Sequence, residues 1–482
     1  MIGKGLGING NLFWVAMNIN NLVNKIYGNL PVPIQNFGIS IFGLYWFNRR
    51  FGGVFSKQLK SCMDREYFSY SEWNNYQTYL LRKLLIHSFD TVPYYKDLFI
   101  RLGIEKYDLS RFSIEDLRKI PFLNKEIYRK QGVSDLLSDS LEPSGEFYSS
   151  SGSTGTPTKT RYSLRMHQTY FSIFESRINY WANIDYKTPR GVIGGRRILK
   201  EGNAKGPYYR YNFIEKQTYF SAYHISPSTV KNYVEGMFKH KVEYMTGYAS
   251  ANFHLAKMIE EKGIEAPRLK AVLTSSEPLT NEMRETFFRV YGCKTFDSYN
   301  GVEACNLISE CEFGTLHIVP DVGIVEIIND EGEPVLPGET GEIISTGLLN
   351  FDQPLIRYRM GDLVTLSKNQ NCACGRNMIV VDEIVGRIED TVVGLDGRRI
   401  NRFHGIFVDI MSIKEAQVVQ NSLTDFSINI VSEGELSVDE VSLIEMRMQS
   451  QLGPVTIGLN YMNEIPRTKN GKFKSVISLL NS

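Results

Sequence analysis

Predicted strands and helices alternate between residues 244 and 303, and this alternation constrains the fold more than any other feature of the sequence. The apolar run at residues 269–274 has the length of a buried strand, and helical patterns cover residues 249–262 and 280–290 on either side of it. Strand, turn, helix and strand in this order are typical of a doubly wound α/β sheet. We therefore predict the α/β class, with a large N-terminal domain that has doubly wound sheets plus a β-rich part, and a small α+β C-terminal domain.

Polar turns follow two neighbouring strands of this predicted sheet. Residues 275–279 (SSEPL) come directly after the first strand, and residues 298–303 (SYNGVE) end the second. In an open α/β sheet, ligands bind outside the carboxyl ends of the strands. We therefore expect a ligand site where these two turns meet.

The remaining patterns predict elements on both sides of this unit. Helical spacing of apolar residues indicates helices, and short apolar runs between turn residues indicate strands. The predicted helices cover residues 73–89, 164–184 and 437–451, and the predicted strands cover residues 323–328 and 341–346, a pair at 416–430, and 455–462. Residues 192–224 show no clear period. We divide the chain into an N-terminal helical and aromatic arm of the large domain (1–120), the core of that domain (121–385) and a mobile C-terminal domain (386–482).

Residues 149–160 (SSSGSTGTPTKT) are the densest run of hydroxyl-bearing and small side chains in the chain. Hydroxyl and backbone donors, two glycines and a lysine suit the binding of a polyphosphate. The run lacks the Gly-Lys-Ser/Thr ending of a Walker A loop and does not follow the dinucleotide-binding pattern Gly-x-Gly-x-x-Gly. Taken alone, it fits either a phosphate clamp or a flexible Ser/Thr/Gly linker.

Composition excludes several classes of protein. The formal net charge of +1 gives no electrostatic argument for binding nucleic acid, and six cysteines in 482 residues do not make a disulfide scaffold. No signal-peptide pattern opens the sequence, so we expect a cytoplasmic protein. Residues 31–47 (PVPIQNFGISIFGLYWF) fall short of the roughly 20 apolar residues that a spanning helix needs. They fit either an arm packed on the domain or peripheral contact with the inner face of an anionic membrane.

Three further motifs form a set of five with the Ser/Thr/Gly run and residues 299–303. They are residues 354–362 (PLIRYRMGD), 386–390 (GRIED) and 466–472 (PRTKNGK). In order and spacing, the five resemble the adenylate-forming superfamily of acyl-CoA synthetases, luciferases and peptide-synthetase adenylation domains. The similarity runs from about residue 121 to residue 472 and is more specific than any one motif.

Other segments indicate a closer branch of this superfamily. They are residues 31–36 (PVPIQN), 91–95 (TVPYY) and 372–376 (CACGR), together with the centre of the Ser/Thr/Gly run. With them, nearly the whole chain resembles the phenylacetate–CoA ligase-like branch, and within it the CapK-type proteins of capsule and surface-polysaccharide loci. The resemblance implies that a small-molecule carboxylate attacks the α-phosphate of ATP, giving an acyl-adenylate and pyrophosphate. A thiol, such as that of coenzyme A, or an amine then takes the acyl group.

The resemblance also implies which residues handle the phosphates. Developing charge on a phosphoryl group is stabilised by positioned cations, Mg²⁺ and amide donors. Glu303 would help to hold Mg²⁺ through its carboxylate oxygen, and Lys472 would bridge the substrate carboxylate and the phosphate. The residues that would hold the β- and γ-phosphates are Ser150, Ser151, Gly152, Ser153, Thr154, Gly155, Thr156 and Lys159.

The resemblance assigns other motifs to the binding of the nucleoside part of ATP. Asp362 would accept hydrogen bonds from the ribose hydroxyls, and Arg387 would add a guanidinium near the ribose and phosphate. Glu389 stands where many relatives have aspartate at the pivot between the two domains, which puts the swing of the small domain in doubt. The residues that would flank the adenine are Ser276, Glu277, Pro278, Tyr299 and Asn300.

Cysteines and a histidine offer a second kind of site. Cys311, His317, Cys372 and Cys374 supply three thiolates and an imidazole, enough for a closed tetrahedral and therefore structural Zn²⁺ site. Neither half is a standard Cys-x-x-Cys knuckle, and Cys305 is an alternative ligand. Unpaired cytosolic cysteines are the other interpretation of the same residues.

Two other functions share these motifs. One is an adenylyltransferase that leaves AMP on a phosphorylated or hydroxylated acceptor. The other is a non-catalytic protein that assembles with partners of a biosynthetic locus or docks on a membrane. The presence of Glu303, Asp362 and Lys472 favours an active enzyme over the second.

Overall fold

The computed structural model describes most of the chain. The described residues are 30–149, 158–194, 206–222, 224–387, 392–395, 399–400, 403–407, 410, 412–432, 434–467 and 473–480. The helices are α1 (Val32–Phe51), α2 (Phe55–Asp64), α3 (Tyr70–Thr91), α4 (Pro93–Arg101), α5 (Lys106–Leu109), α6 (Lys125–Gln131), α7 (Leu164–Phe174), α8 (Val230–Lys239), α9 (Ala249–Glu261), α10 (Asn281–Tyr291), α11 (His404–Phe407) and α12 (Val438–Leu452). None of the described helices is long and apolar enough to cross a membrane.

The strands divide between the large N-terminal part and the C-terminal module. The first group is β1 (Glu146–Ser149), β2 (Lys159–Tyr162), β3 (Arg190–Gly194), β4 (Tyr209–Asn212), β5 (Gln217–Ser221), β6 (Tyr244–Tyr248), β7 (Ala271–Ser275), β8 (Lys294–Tyr299), β9 (Ile308–Glu310), β10 (Leu316–Ile318), β11 (Gly323–Ile328), β12 (Thr340–Gly347), β13 (Tyr358–Leu366) and β14 (Val380–Arg387). The second group is β15 (Val392–Val393), β16 (Arg399–Ile400), β17 (Ile413–Gln420), β18 (Asp425–Ser432), β19 (Thr456–Tyr461) and β20 (Val476–Ser478).

Twelve of the described strands form one sheet, in the order β11-β12-β13-β14-β10-β9-β8-β7-β6-β3-β5-β4. Its centre is parallel, because β5, β3, β6, β7 and β8 run in the same direction. The chain leaves β3 towards β5 and returns through α8 to β6 on the other side, so the strand order reverses at β3. This reversal is the topological switch point at which α/β sheets bind ligands.

Helices cover both faces of the parallel strands. Val272 of β7 belongs to a buried cluster with Leu255 of α9 and Phe287 of α10. Its neighbour Leu273 belongs to a cluster on the opposite face with Met166 of α7. Successive side chains of a strand point to opposite faces, so this division shows a sheet buried on both sides. The predicted α/β class with doubly wound strands is confirmed.

The second half of the sheet and the C-terminal module have the predicted β-rich and α+β characters. Strands β9 to β14 pair antiparallel to their neighbours. In the C-terminal module, β19, β18, β17 and β20 form a separate four-stranded sheet. Ser437 caps α12 in a capping box with Glu440, which explains why the helix begins at this point.

One sequence prediction differs from the structure, and the structure also shows the elements of a region for which the sequence predicts none. The helix predicted over residues 164–184 is too long, because α7 ends at Phe174 and a π-helical turn, Glu175–Asn179, follows. The Glu175 carboxylate accepts hydrogen bonds from the Asn179 side chain and from the Tyr186 backbone N–H, which redirects the chain. Residues 192–224, which show no period in sequence, contain the end of β3 and all of β4 and β5 within their described part.

Asp321 joins two separated segments of the chain in the interior. One carboxylate oxygen accepts hydrogen bonds from Arg65 Nε and Nη2, at 3.2 and 2.9 Å. The other accepts from Arg177 Nε at 3.0 Å. Arg177 and Asp321 are fully buried. Loss of the carboxylate charge would leave buried guanidinium groups without compensation.

We predict that Asp321→Asn lowers the free energy of unfolding by about 3–5 kcal/mol, the usual cost of removing one partner of a buried ion pair. The matched control is Glu243→Gln, which breaks the exposed pair between Lys270 Nζ and Glu243 Oε2 at 2.7 Å. It should cost less than about 1 kcal/mol. Urea unfolding measures both, and equal losses for the two variants would contradict the prediction.

Candidate active site

The ends of three parallel strands lie side by side and build the candidate site. Strand pairing places Tyr248 of β6 beside Ser275 of β7, and Ser275 beside Ser298 of β8. The two polar turns that sequence predicts to meet therefore begin at adjacent positions of one sheet edge. The parallel direction of the strands causes this, because all their carboxyl ends reach the same edge.

A glycine allows the strands at the switch point to approach each other. A Cβ atom on Gly247 would lie 1.8 Å from the carbonyl oxygen of Ile193 in β3. The φ angle of Gly247 is +130°, a conformation that other residues rarely adopt. A side chain at this position would force β3 and β6 apart at the site.

Glu277 connects three segments at this edge. Ser276 before it has a φ of +71°, so the turn after β7 is left-handed. Glu277 Oε2 accepts a hydrogen bond from the Ser250 backbone N–H in the first turn of α9, at 2.8 Å. Glu277 Oε1 accepts from the backbone N–H of Phe473, at 3.3 Å. A carboxylate of the large domain thus holds the C-terminal segment immediately after Lys472.

Tyr299 and Asp362 meet across the sheet edge. The Tyr299 hydroxyl donates to Asp362 Oδ2 at 2.8 Å, although the two residues are 63 positions apart in the chain. Asp362 is buried on β13 and lies opposite Arg387 of β14 in the strand pairing. Two residues assigned to the nucleoside end of ATP are therefore in contact, and the backbone of a third is adjacent.

Glu303 contacts the described end of the Ser/Thr/Gly run. Its carboxylate is buried, and Oε1 accepts a hydrogen bond from Thr158 Oγ1 at 3.1 Å. A Cβ on Gly301 would lie 2.6 Å from Glu303 Oε2, so glycine leaves room for the carboxylate. The Tyr162 hydroxyl donates to the carbonyl of Val302 at 2.6 Å and fixes the same turn.

The two ends of the Ser/Thr/Gly run are clamped together. Ser149 and Lys159 pair as the last and first residues of the antiparallel strands β1 and β2. The Lys159 carbonyl accepts hydrogen bonds from the Tyr128 hydroxyl and from Gln353 Nε2, both at 3.1 Å. Tyr128 also bonds to Thr160 Oγ1 at 2.6 Å. Sequence reasoning misses Tyr128 and Gln353, because neither lies in a motif with the run and only the fold brings them to it.

Several predicted site residues lie outside the described residues. They are Ser150, Ser151, Gly152, Ser153, Thr154, Gly155 and Thr156 of the run, the pivot residue Glu389, and Lys472. For Arg387 the backbone is described and the side chain is not. Their assigned roles stay predictions.

The predicted cysteine and histidine ligands come together in the structure. Each of Cys311, His317, Cys372 and Cys374 offers a ligand atom, and the four atoms lie within 4.8 Å of one another. The Sγ atoms of Cys311 and Cys372 are 3.7 Å apart, and Cys374 Sγ is 3.4 Å from His317 Nε2. Pairing of β10 with both β9 and β14 creates this cluster from distant segments.

Two of the distances in the cluster, 3.7 Å between Cys311 and Cys372 Sγ and 3.4 Å between Cys374 Sγ and His317 Nε2, are close to those in a tetrahedral zinc site. Zn–S bonds of about 2.3 Å and Zn–N bonds of about 2.0 Å place the ligand atoms of such a site roughly 3.5–3.8 Å apart. All six cysteines are free thiols, including Cys311 and Cys372. Cys305, the alternative ligand, is not part of the cluster and instead contacts Met360.

Asp297, which lies next to the candidate site, has a raised pKa. It lies on β8, two residues before Tyr299. Burial and the nearby Glu310 carboxylate raise the pKa of Asp297 to about 7, although the positive charge of Arg284 opposes the rise. The Asp297 carboxylate accepts hydrogen bonds from the Ser298 backbone N–H and Thr274 Oγ1.

Comparisons with known proteins give similarity along most of the chain. Residues 392–479 match the family model of the CapK C-terminal domain. Protein CapK of Staphylococcus aureus is 23% identical over 471 residues, which cover 95% of this chain and 99% of that protein. A phenylacetate-coenzyme A ligase of Pseudomonas putida is 27% identical over 394 residues, 77% of this chain and 81% of that protein.

Among solved structures, a 2-hydroxyisobutyryl-CoA ligase in the postadenylation state has a similar fold. The TM-score is 0.67 at 19% sequence identity, and the match covers 86% of this chain and 92% of that chain. Together, these comparisons confirm the predicted resemblance to adenylate-forming, phenylacetate–CoA ligase-like and CapK-type proteins. They also support the ligase class predicted for the chain.

The raised pKa of Asp297 predicts a pH-dependent stability. In the unfolded chain this carboxyl has its ordinary pKa of 3.8, and in the folded protein the value is about 7. The folded state therefore keeps a proton that the unfolded state releases, and stability should fall as pH rises from about 4 to about 7. Asp297→Asn should flatten this slope and raise the free energy of unfolding at pH 8 by on the order of 1 kcal/mol or more. Urea unfolding at several pH values measures it, and identical slopes for the two proteins would contradict it.

Proposed function

We propose that this chain, which is similar to protein CapK and to phenylacetate-coenzyme A ligases, activates a small carboxylic acid with ATP. An oxygen of the carboxylate attacks the α-phosphorus of ATP, the bond to the bridging oxygen breaks, and pyrophosphate leaves. A thiol of the coenzyme A kind, or an amine, then attacks the acyl carbon of the adenylate and AMP leaves. The observation that carries the proposal is the meeting of Glu277, Tyr299, Glu303 and Asp362 around one edge of the parallel sheet.

The nucleoside part of ATP would lie along the turns after β7 and β8. The turn at residues 276–278 and Asn300 follow neighbouring strand ends, and together they would flank the planar base. Asp362 offers carboxylate oxygens to the ribose hydroxyls, and the Tyr299 hydroxyl orients it. The strand pairing with Arg387 supports a role for that guanidinium near the ribose and the α-phosphate.

The phosphates would lie between the Ser/Thr/Gly run and Glu303. Tyr128 and Gln353 hold the Lys159 carbonyl, which fixes the end of the run, and the hydroxyls and amides of the run would bind the β- and γ-phosphates. Mg²⁺ binds oxygen ligands and usually keeps several waters, so one buried carboxylate with substrate phosphates is a suitable donor set. Mg²⁺ would neutralise the charge that develops on the leaving pyrophosphate. Thr158 would orient the Glu303 carboxylate for this purpose.

Lys472 would complete the site for the first half-reaction. The hydrogen bond from the Phe473 N–H to Glu277 supports this role, because it holds the residue after Lys472 at the adenine turn. A cation there would bring the substrate carboxylate and the α-phosphate together against their mutual repulsion. We further propose that residues 386–482 move as a unit when the acyl acceptor enters. The proposed boundary falls within β14, next to Glu389 in the sequence.

The similarity to known proteins is the basis for the biological role that we propose. Similarity to protein CapK over almost the whole chain favours a cytoplasmic step in making or decorating a surface polysaccharide. The carboxylate would then be a building block or substituent of that polymer. The acceptor would be the thiol or amine that delivers the acyl group.

We also propose that Cys311, His317, Cys372 and Cys374 bind a structural Zn²⁺ ion. The distances between their ligand atoms support it, and four protein ligands leave no position for a reacting water. The ion would lock the hairpin of β9 and β10 to the turn before β14. Its contribution would be to stability, because a closed set of four protein ligands has no position for a reacting group.

A panel of carboxylic acids tests the proposed reaction. The intact protein with ATP and Mg²⁺ should catalyse exchange between ATP and labelled pyrophosphate only when its substrate carboxylic acid is present. Hydroxylamine should trap the same acid as a hydroxamate. Pyrophosphate release without a hydroxamate, with AMP left on an acceptor, would identify an adenylyltransferase and contradict the proposal. No exchange with any acid, together with no ATP binding, would favour a non-catalytic assembly protein.

Replacement of the proposed bridging lysine should separate catalysis from binding. Lys472→Ala should lower pyrophosphate exchange by about 100-fold or more, the usual cost of one charge-stabilising group. ATP binding, measured by calorimetry, and the melting temperature should change little. The matched control is Lys262→Ala, an exposed lysine just after α9, which should keep full exchange. Unimpaired exchange in Lys472→Ala would contradict the role of this lysine.

Zinc content and thermal stability test the metal proposal. Protein purified without chelator should contain about one zinc per chain, and chelation should lower its melting temperature. Cys372→Ser should reduce the zinc content strongly. Cys293→Ser, which changes a buried cysteine outside the cluster, should not. Metal-free protein whose melting temperature is unchanged by chelation would contradict the site.

A further inference from the structure

Helix α1 exposes an apolar stripe that the ATP chemistry does not use. The stripe consists of six residues that are 45–58% exposed, namely Ile34, Phe37, Ile41, Phe42, Leu44 and Tyr45. They recur at helical spacing and occupy one side of the helix. Single exposed apolar side chains are ordinary, but a contiguous group of this size on one helix marks an interaction surface.

The polar side of α1 faces the protein, the reverse of an ordinary surface helix. Asn36 Oδ1 accepts a hydrogen bond from the Tyr211 backbone N–H at 3.0 Å, and Ser40 Oγ accepts from the Phe213 N–H at 3.1 Å. These donors belong to β4, the edge strand of the large sheet, and to the residue that follows it. A Cβ on Gly43 would lie 2.3 Å from Asn212 Nδ2, so helix and strand are in close contact.

Polar side chains of α1 therefore seal the sheet edge. Covering an edge strand satisfies its outward backbone groups and prevents pairing with other chains. This task requires polar groups on the inner side of the helix, and it places no demand on the outer side. The apolar character of the outer side needs a separate cause.

The charges of the N-terminal part indicate what covers the stripe. Residues 1–63 contain six basic residues and no acidic residue, the first being Asp64. Residues 26–48, which include the stripe, carry no charged side chain at all. In the following helix α2, Lys57 and Lys60 are exposed. At the end of α1, Arg49 and Arg50 pair with Glu146 and Glu215, so Lys57 and Lys60 supply the exposed positive charge among the described residues of this part. An uncharged apolar surface with aromatic rings, followed in the chain by exposed lysines, suits an anionic lipid interface.

We propose that the apolar stripe of α1 docks the protein on an anionic phospholipid bilayer, with the helix lying in the plane of the membrane interface. The stripe would enter the boundary between headgroups and acyl chains, where Phe and Tyr rings are favoured. Basic residues of the N-terminal part would add attraction to the lipid phosphates. A protein partner is less well matched, because five of the six stripe residues have no polar side-chain atom and the sixth, Tyr45, already donates its hydroxyl to Glu146.

Vesicle flotation with the full chain tests the proposal. The protein should float with vesicles of phosphatidylcholine containing about 30 mol % phosphatidylglycerol, and much less with phosphatidylcholine alone. The double variant Phe37→Glu/Ile41→Glu should reduce binding at least about tenfold, because it places two charges on the stripe. The matched control is Phe288→Glu, which changes an equally exposed phenylalanine on α10 and should bind as the parent does. Thermal unfolding of the three proteins checks that each is folded.

Four outcomes would overturn the proposal. One is the absence of flotation by the folded parent protein. Another is equal flotation of the parent and the double variant. The third is a dimer in sedimentation that the double variant converts to a monomer, since a second copy would then cover the stripe. Flotation that appears only after removal of residues 1–29 would assign the stripe to that segment of the same chain and would equally overturn it. None of these results depends on the proposed ATP reaction.

Discussion

Parallel, in-register pairing of β6, β7 and β8 is the constraint on which the candidate site depends. It places Tyr248, Ser275 and Ser298 beside one another and so brings the turns that follow to one edge of the sheet. Gly247 makes the pairing of β6 with β3 possible, because a Cβ atom at this position would clash with the Ile193 carbonyl oxygen. The positions of Glu277, Asn300 and Glu303 all follow from this arrangement of the backbone.

Carboxylates at this edge of the sheet form hydrogen bonds between separate segments of the chain, in addition to being candidate ligand-binding groups. Glu277 joins the start of α9 to the C-terminal segment, and Asp362 joins β13 to Tyr299. On the proposed function, the contact of Glu277 with Phe473 would couple the C-terminal segment to the proposed nucleotide site. The covered sheet edge at β4 belongs to the same sheet, and its helix α1 connects the fold to the proposed membrane surface.

Local pattern explains which parts of this structure could be predicted. Strand β7 and helices α9, α10 and α12 were predicted nearly at their observed bounds, because each has a clear period and, for α10 and α12, a capping residue. The π-helical turn after α7 depends on a buried contact of Glu175 with Tyr186, which no local period shows. The cysteine cluster was predicted from its residue types, whereas Tyr128 and Gln353 gave no signal, since their contacts with Lys159 arise only when distant segments pack.

Transfer of oxygen from the carboxylate to AMP tests the central claim most directly. A substrate acid labelled with ¹⁸O in its carboxylate is incubated with the protein, ATP, Mg²⁺ and an acyl acceptor, and the AMP is analysed by mass spectrometry. Formation of an acyl-adenylate predicts one ¹⁸O atom in each AMP released, because the bond to the acyl carbon breaks in the second step. Unlabelled AMP, or AMP retained on an acceptor, would contradict activation of a carboxylate by adenylation.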